Sequence, residues 1–388
     1  MIRGIRDLLG SQIDLRRDRS TVWLTWPALA VIILLQAQPF TYGYLRSADE
    51  VVFLAASFGG WRSVEELTNV LAVTQGRLGF LAAIPLNILG AYLADDHLAR
   101  WIFVLLHFGM FALFAGYFSI ISATKVARAL LIVLITLQTI GGIHDYMPPI
   151  SYPLQNTLPF IALLVARCTI LLVQPHRRGA SYVLWPARIV FLLAIMTTEY
   201  AFLLATALLA AEYSFALARS WRRCPSLVEA LLGVVKQRTF LYDVLFVVLA
   251  LAAYVVYRRL HPSAYVGNVI DAGFEVGRVV ETTMRHVLAG TVFTHGFFDM
   301  MSPPREALPM AVLVGILTAA CLFAVLHGVR ELPSPLAIAS ASVLAVAYVT
   351  FPLAGNARQQ VWCLENGACG WLDSRSSYLG FAVIVICM

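Results

Sequence analysis

A chain of 388 residues with 60% hydrophobic and only 13% charged side chains lies outside the soluble globular class, in which about a quarter of residues are charged. Apolar runs of about 20 residues recur along it, the length that crosses a hydrocarbon core of about 30 Å with every backbone hydrogen bond closed internally. The net charge of +6 therefore reports loop placement at a membrane, and nucleic acid is excluded as a partner. The expected fold class is all-α, a polytopic transmembrane helical bundle forming a single domain over residues 1–388.

Residues 1–20 carry Arg3, Arg6, Arg16, Arg17 and Arg19. They lack a short apolar core with a small-residue cleavage site, so an uncleaved, cytoplasmic N-terminus is expected. A first span over 21–40 then delivers an external loop, 41–100. Within it, Ser47-Ala-Asp-Glu50 and Ser63-Val-Glu-Glu66 both read as capping boxes that open short helices lying at the membrane interface. The apolar stretch 78–93 contains Gly79, Pro85, Asn87 and Gly90. If it crossed, Lys125, Arg128, Arg177, Arg178, Arg222 and Arg223 would change sides. If it lies flat, all of them fall inside, so it is read as interfacial.

Further spans are expected near 101–121, 127–143, 157–173, 182–198, 201–217, 240–257, 308–328 and 335–353. An external loop covers 258–307 and contains a helix from Asp271 to Ala289. A second external loop covers 354–377. The last run, 378–388, is too short to cross, so the chain ends in a partial helix or is a truncated form of a longer one. No repeat and no soluble domain is evident. Cys168, Cys224, Cys321 and Cys387 read as small buried hydrophobes. Cys363 and Cys369 share a polar loop with an Asn366-Gly367 turn, and a disulfide between them is expected if that loop lies outside the cytoplasm.

No dinucleotide fingerprint, P-loop, HExxH or CxxC occurs. The informative feature is which polar residues gather on one side. The external face collects Asp49, Glu50, Arg77, His144, Asp145, Glu199, His261, Tyr265, His295, Asp299, Asp373 and Arg375. Carboxylates there can serve as general bases, and arginines can clamp a phosphate with two parallel hydrogen bonds. Each has a plainer reading. Glu50 completes a capping box, and Asp49 favours the helix dipole. Arg77 snorkels, although Gly76 before it points to a close backbone approach. Asp145 forms a turn before Met147-Pro-Pro149, Glu199 is solvated or paired at a span end, and His261 and His295 are lone histidines. Arg167 and Glu212, inside apolar runs, serve packing or pairing.

Ser47-Ala-Asp-Glu50 after the first span, the interfacial helices, Thr74-Gln-Gly-Arg77, His144-Asp145 after the third span and the external loop with Tyr265 together resemble the GT-C superfamily of polytopic glycosyltransferases. The resemblance covers most of the chain loosely and about 30 residues specifically. It implies inverting transfer of a sugar from a polyprenyl-phosphate donor to a glycan or lipid acceptor, on the extracytoplasmic face of a bacterial inner (plasma) membrane. Asp49 would be the base, Glu50 its neighbouring alternative and Asp145 a second acidic position. Arg77, with Arg375 as a further candidate, would stabilise the departing phosphate. Gln75, Tyr152, Glu199, His261 and Tyr265 complete the candidate substrate-binding set. Some members of the superfamily use a divalent cation and others do not, and no dedicated cage stands in the sequence. Members usually carry further helices or a soluble domain beyond this point. Two other classes compete. A transporter or lipid flippase would need charged residues inside the spans and broken spans in matching halves. A non-catalytic assembly subunit would use its loops to bind partners.

Overall fold

A computed structural model describes residues 19–42, 48–138, 151–155, 157–173, 180–224, 226–265, 273, 275–291, 312–313, 315–322, 335–366, 369 and 372–388. Among these residues the protein is helical, with no strand beyond an isolated bridge between Gln138 and Thr291. In chain order the helices are α1 (Arg19–Tyr42), α2 (Ala48–Phe58), α3 (Gly60–Gln75), α4 (Phe80–Leu93), α5 (His97–Ser122), α6 (Ala127–Thr136), α7 (Thr157–Leu172), α8 (Ala180–Thr197), α9 (Glu199–Trp221), α10 (Leu227–Val235), α11 (Arg238–Leu260), α12 (Val276–Ala289), α13 (Pro335–Ala354), α14 (Ala357–Gln360) and α15 (Leu372–Cys387), with a π turn at Val361–Glu365. Five are long and apolar enough to cross a membrane: α5, α8, α9, α11 and residues Leu336–Ala354 of α13. Two of them start on a capping side chain. The Asp96 side chain accepts from the Leu98 and Ala99 amides at the head of α5, and Thr198 accepts from the Ala201 amide at the head of α9. Each satisfies donors that a helix leaves open.

Contacts at the helix ends define which residues share a level. Gln36 near the end of α1 donates to the Ile135 and Gln138 carbonyls at the end of α6. Gly79, just before α4, lies so close to the α8–α9 junction that a Cβ there would stand 3.0 Å from the Thr197 carbonyl oxygen. Gly90, near the end of α4, lies against Pro153, with a Cβ 3.2 Å from its ring, just ahead of α7. Both ends of α4 therefore rest on the same end of the bundle, here called the upper end. A helix anchored in this way lies across the bundle, as the charge pattern predicts. The loops of the opposite, lower end carry Lys125, Arg222, Arg223, Lys236 and the start of α11 at Arg238.

Several expectations need correction. The second capping box does not exist. α3 begins at Gly60, where φ is +71°, with Gly59 as its cap and no side-chain capping bond. Ser63 sits inside the first turn, and Glu66 instead accepts from Arg62 at 2.9 Å. Ser47 of the first box lies outside the described residues. The described helix of the third expected span stops at Thr136. Helix α12 starts at Val276, and Asp271 lies outside the described residues. Of the expected span 308–328, residues 312–313 and 315–322 are described, and they are helical. The basic loop after α9 contains an unexpected helix, α10. The external loop 354–377 is overruled at its end. Asp373, Ser374, Arg375, Ser376 and Ser377 are helical and buried in α15. Their partners come from neighbouring helices. His286 Nδ1 of α12 lies 3.1 and 3.2 Å from the Asp373 oxygens, and Ser377 bonds Thr350 of α13. Polar composition suggests a loop, but here the bundle supplies the polar partners. Cys363 and Cys369 are disulfide-bonded.

Candidate functional site

The upper end holds two polar patches. The first is built by the start of α2 and the segment 151–155. Asp49 and Glu50 stand in the first turn of α2, where carboxylates complement the helix dipole. They part company at once. Glu50 is buried, and its Oε2 accepts from Ser151 Oγ at 3.1 Å. Asp49 is exposed, and its Oδ2 accepts from the Tyr152 hydroxyl at 2.6 Å. Tyr152 has φ +51°, the left-handed region that an aromatic side chain rarely occupies. The surroundings hold it there. Its ring meets Phe53 of α2 edge-on at 6.1 Å, Pro153 packs on Gly90, and Gln155 Oε1 accepts from Asn87 Nδ2 at 2.7 Å. An exposed carboxylate is thus gripped through one oxygen by a residue in a costly conformation.

The second patch lies at the other end of α4. Arg77 donates twice to Glu199, from Nε at 3.2 Å and from Nη2 at 2.7 Å, and its guanidinium lies 4.0 Å from the Phe80 ring centroid. Burial disfavours the Arg77 charge, but the adjacent Glu199 carboxylate outweighs it and raises the pKa above the ordinary arginine value. Arg258 Nη1 donates to the Gln75 carbonyl at 2.5 Å, and the Ala264 amide donates to the Thr74 carbonyl at 3.0 Å. Gly76, with φ +58°, meets the chain here. A Cβ on it would stand 2.2 Å from the His261 carbonyl oxygen. The close approach expected from a glycine before Arg77 is real, and it anchors α3 to the end of α11. Tyr265 follows on the same strip, its hydroxyl accepting from Arg358 Nη1 at 3.2 Å, while Arg358 also stacks over Trp362 at 4.3 Å.

The residues expected to work as one site therefore separate. Gln75, Arg77, Glu199, His261 and Tyr265 gather in the second patch, and Asp49, Glu50 and Tyr152 in the first. The two patches flank α4, which rises about 16 Å from Gly79 to Gly90. Arg77 pairs with Glu199, whereas Asp49 is held by Tyr152. Arg375 joins neither patch. It is buried in α15, where its charge acts on His107 and Tyr378. Asp145, with His144, His295 and Asp299, lies outside the described residues. As for a divalent cation, no three His, Cys, Asp or Glu side chains converge among the described residues. Glu50 turns away from Asp49 towards Ser151.

A third constellation was only half legible. Arg167 of α7 donates from Nη2 to both oxygens of Glu212 on α9, at 2.7 and 2.8 Å, and from Nη1 to Asp243 on α11 at 2.7 Å. Tyr117 of α5 donates to Glu212 at 3.2 Å, and Tyr213 donates to Asp243 at 2.5 Å. All three charged side chains are buried. The sequence suggests pairing for Arg167 and Glu212. Asp243 was missed, although a lone acid in an otherwise apolar run is the available signal.

No family model matches the chain, and no curated protein or solved structure matches it either.

Proposed function

We propose that the protein is a membrane glycosyltransferase that moves a sugar from a polyprenyl-phosphate donor to an acceptor hydroxyl, with Asp49 as the base. The observation that carries this reading is the exposed Asp49 carboxylate held through Oδ2 by Tyr152. The grip fixes the carboxylate's orientation and leaves Oδ1 to receive a proton. In the reaction the acceptor O–H gives its proton to Asp49. The oxygen attacks the anomeric carbon, and the carbon–oxygen bond to the lipid phosphate breaks, its electron pair leaving with the phosphate. Tyr152 acts as a positioning residue. Glu50, bonded to Ser151, shapes the start of α2 and is not the base in this reading. The second patch braces α3 and α4 at the upper end and takes no part at the reacting phosphate.

Sidedness is inferred from the short connecting loops of the lower end. Lys125, Arg222, Arg223, Lys236 and Arg238 lie at the end opposite Asp49, and basic loops stay in the cytoplasm. Asp49 then faces the extracytoplasmic side, at the level of a lipid headgroup. The test is transfer of labelled sugar from polyprenyl-phosphate donors by the purified protein. Asp49→Asn should lower transfer at least a hundredfold, the contribution of a general base, and unchanged transfer would remove the reading. The buried Arg167–Glu212–Asp243 group favours a second reading, a transporter, since charges inside spans mark such paths. Substrate flux in proteoliposomes without any transfer would select it.

A further inference from the structure

Helix α10 carries an inference independent of the reaction at Asp49. It is nine residues long and opens with Ser226, whose hydroxyl accepts from the Glu229 amide at 3.2 Å. One face is spent on the bundle. Ala230 and Val234 are buried, and Gly233 faces Ser220 at the end of α9. The other face is apolar and open: Leu227, Val228, Leu231 and Leu232 are 49%, 66%, 49% and 47% exposed. Cations flank it at both ends. Arg222 and Arg223 precede it, Lys236 and Arg238 follow it, and all four are exposed. Glu229 is the one acid on the helix. None of the four forms a salt bridge among the described residues. Arg223 moreover stands close enough to Arg219 for their charges to oppose each other.

We propose that α10 and its four flanking cations bind the headgroups of anionic phospholipids on the lower side of the membrane. An apolar face with a cationic rim is the pattern of a helix lying in the interface, its leucines among the acyl chains and its cations at the phosphates. A protein partner fits less well. The helix is about 13 Å long, short for a specific interface of about 1,000 Å². Helix α3 at the upper end provides the contrast. It also exposes apolar side chains, Trp61, Val70 and Val73, but its charges are Arg62, Glu65 and Glu66, and Arg62 is already paired with Glu66. The surplus of cations belongs to α10 alone of the two.

The full-length protein reconstituted in nanodiscs of phosphatidylcholine, with and without phosphatidylglycerol, tests this by thermal unfolding and by native mass spectrometry of retained lipid. The wild type should hold phosphatidylglycerol in preference and unfold at higher temperature when it is present. Removing cations (R222Q/R223Q, K236Q/R238Q and the four together) should weaken retention about fivefold per cation and abolish the thermal gain. R62Q should change neither. The two double variants keep the test readable if the quadruple one does not assemble. Equal retention by wild type and quadruple variant, or equal retention of the two lipids by wild type, would overturn the proposal.

Discussion

Asp49 and Glu212 are both carboxylates on helices of one bundle, yet their surroundings give them opposite work. Asp49 is exposed, donates nothing, and is held by a single tyrosine hydroxyl. Glu212 is buried, with both oxygens taken by Arg167 and one also by Tyr117. A carboxylate with a free, wet oxygen can accept a proton from a substrate. One whose oxygens are filled by a guanidinium in a dry interior serves to tie helices together. The contrast separates an end of the molecule where a carboxylate is open to solvent from the part that holds α7, α9 and α11 in register.

The largest expected effect on stability lies in the buried group. Arg167→Met leaves Glu212 and Asp243 buried without their counter-charge and should cost about 3–5 kcal/mol, read as loss of folded protein after extraction or a large fall in Tm. A small fall would mean that water reaches the group and that the contrast is overdrawn. Next comes Gly76→Ala. The left-handed φ and the His261 carbonyl in the path of a Cβ should together cost about 2 kcal/mol, again read in Tm, with α3 detaching from α11. Tyr152→Phe keeps the ring against Phe53 and removes the hydroxyl that grips Asp49. It should lower kcat about tenfold, leave the KM for donor unchanged, and change stability by about 1 kcal/mol. A rise in KM alone would make Tyr152 a binding residue. Smallest is Arg62→Gln. Its pair with Glu66 is at the surface, so Tm should not move measurably.

The long apolar helices were legible because a run of about 20 apolar residues has few other physical outcomes. The lie of α4 was legible too, since only one placement kept the basic loops together. What escaped were short or polar helices. Nothing in Asp373-Ser-Arg-Ser-Ser377 announces a buried helix, because its partners, His286 and Thr350, come from distant segments. Nine-residue α10 was lost inside a basic loop. Around α4, the sequence shows Asp49 and Arg77 as polar residues of one loop, but their different partners, Tyr152 and Glu199, come from distant segments. The φ of Tyr152 has no sequence signal at all, since tyrosine has no preference for that region.

The most direct measurement is sugar transfer from a polyprenyl-phosphate donor by purified Asp49→Asn protein, with its Tm recorded beside the wild type. Transfer by the wild type that falls at least a hundredfold in the variant, at an unchanged Tm, is the expected result. Equal transfer by the two proteins would contradict the assignment of Asp49 as the base.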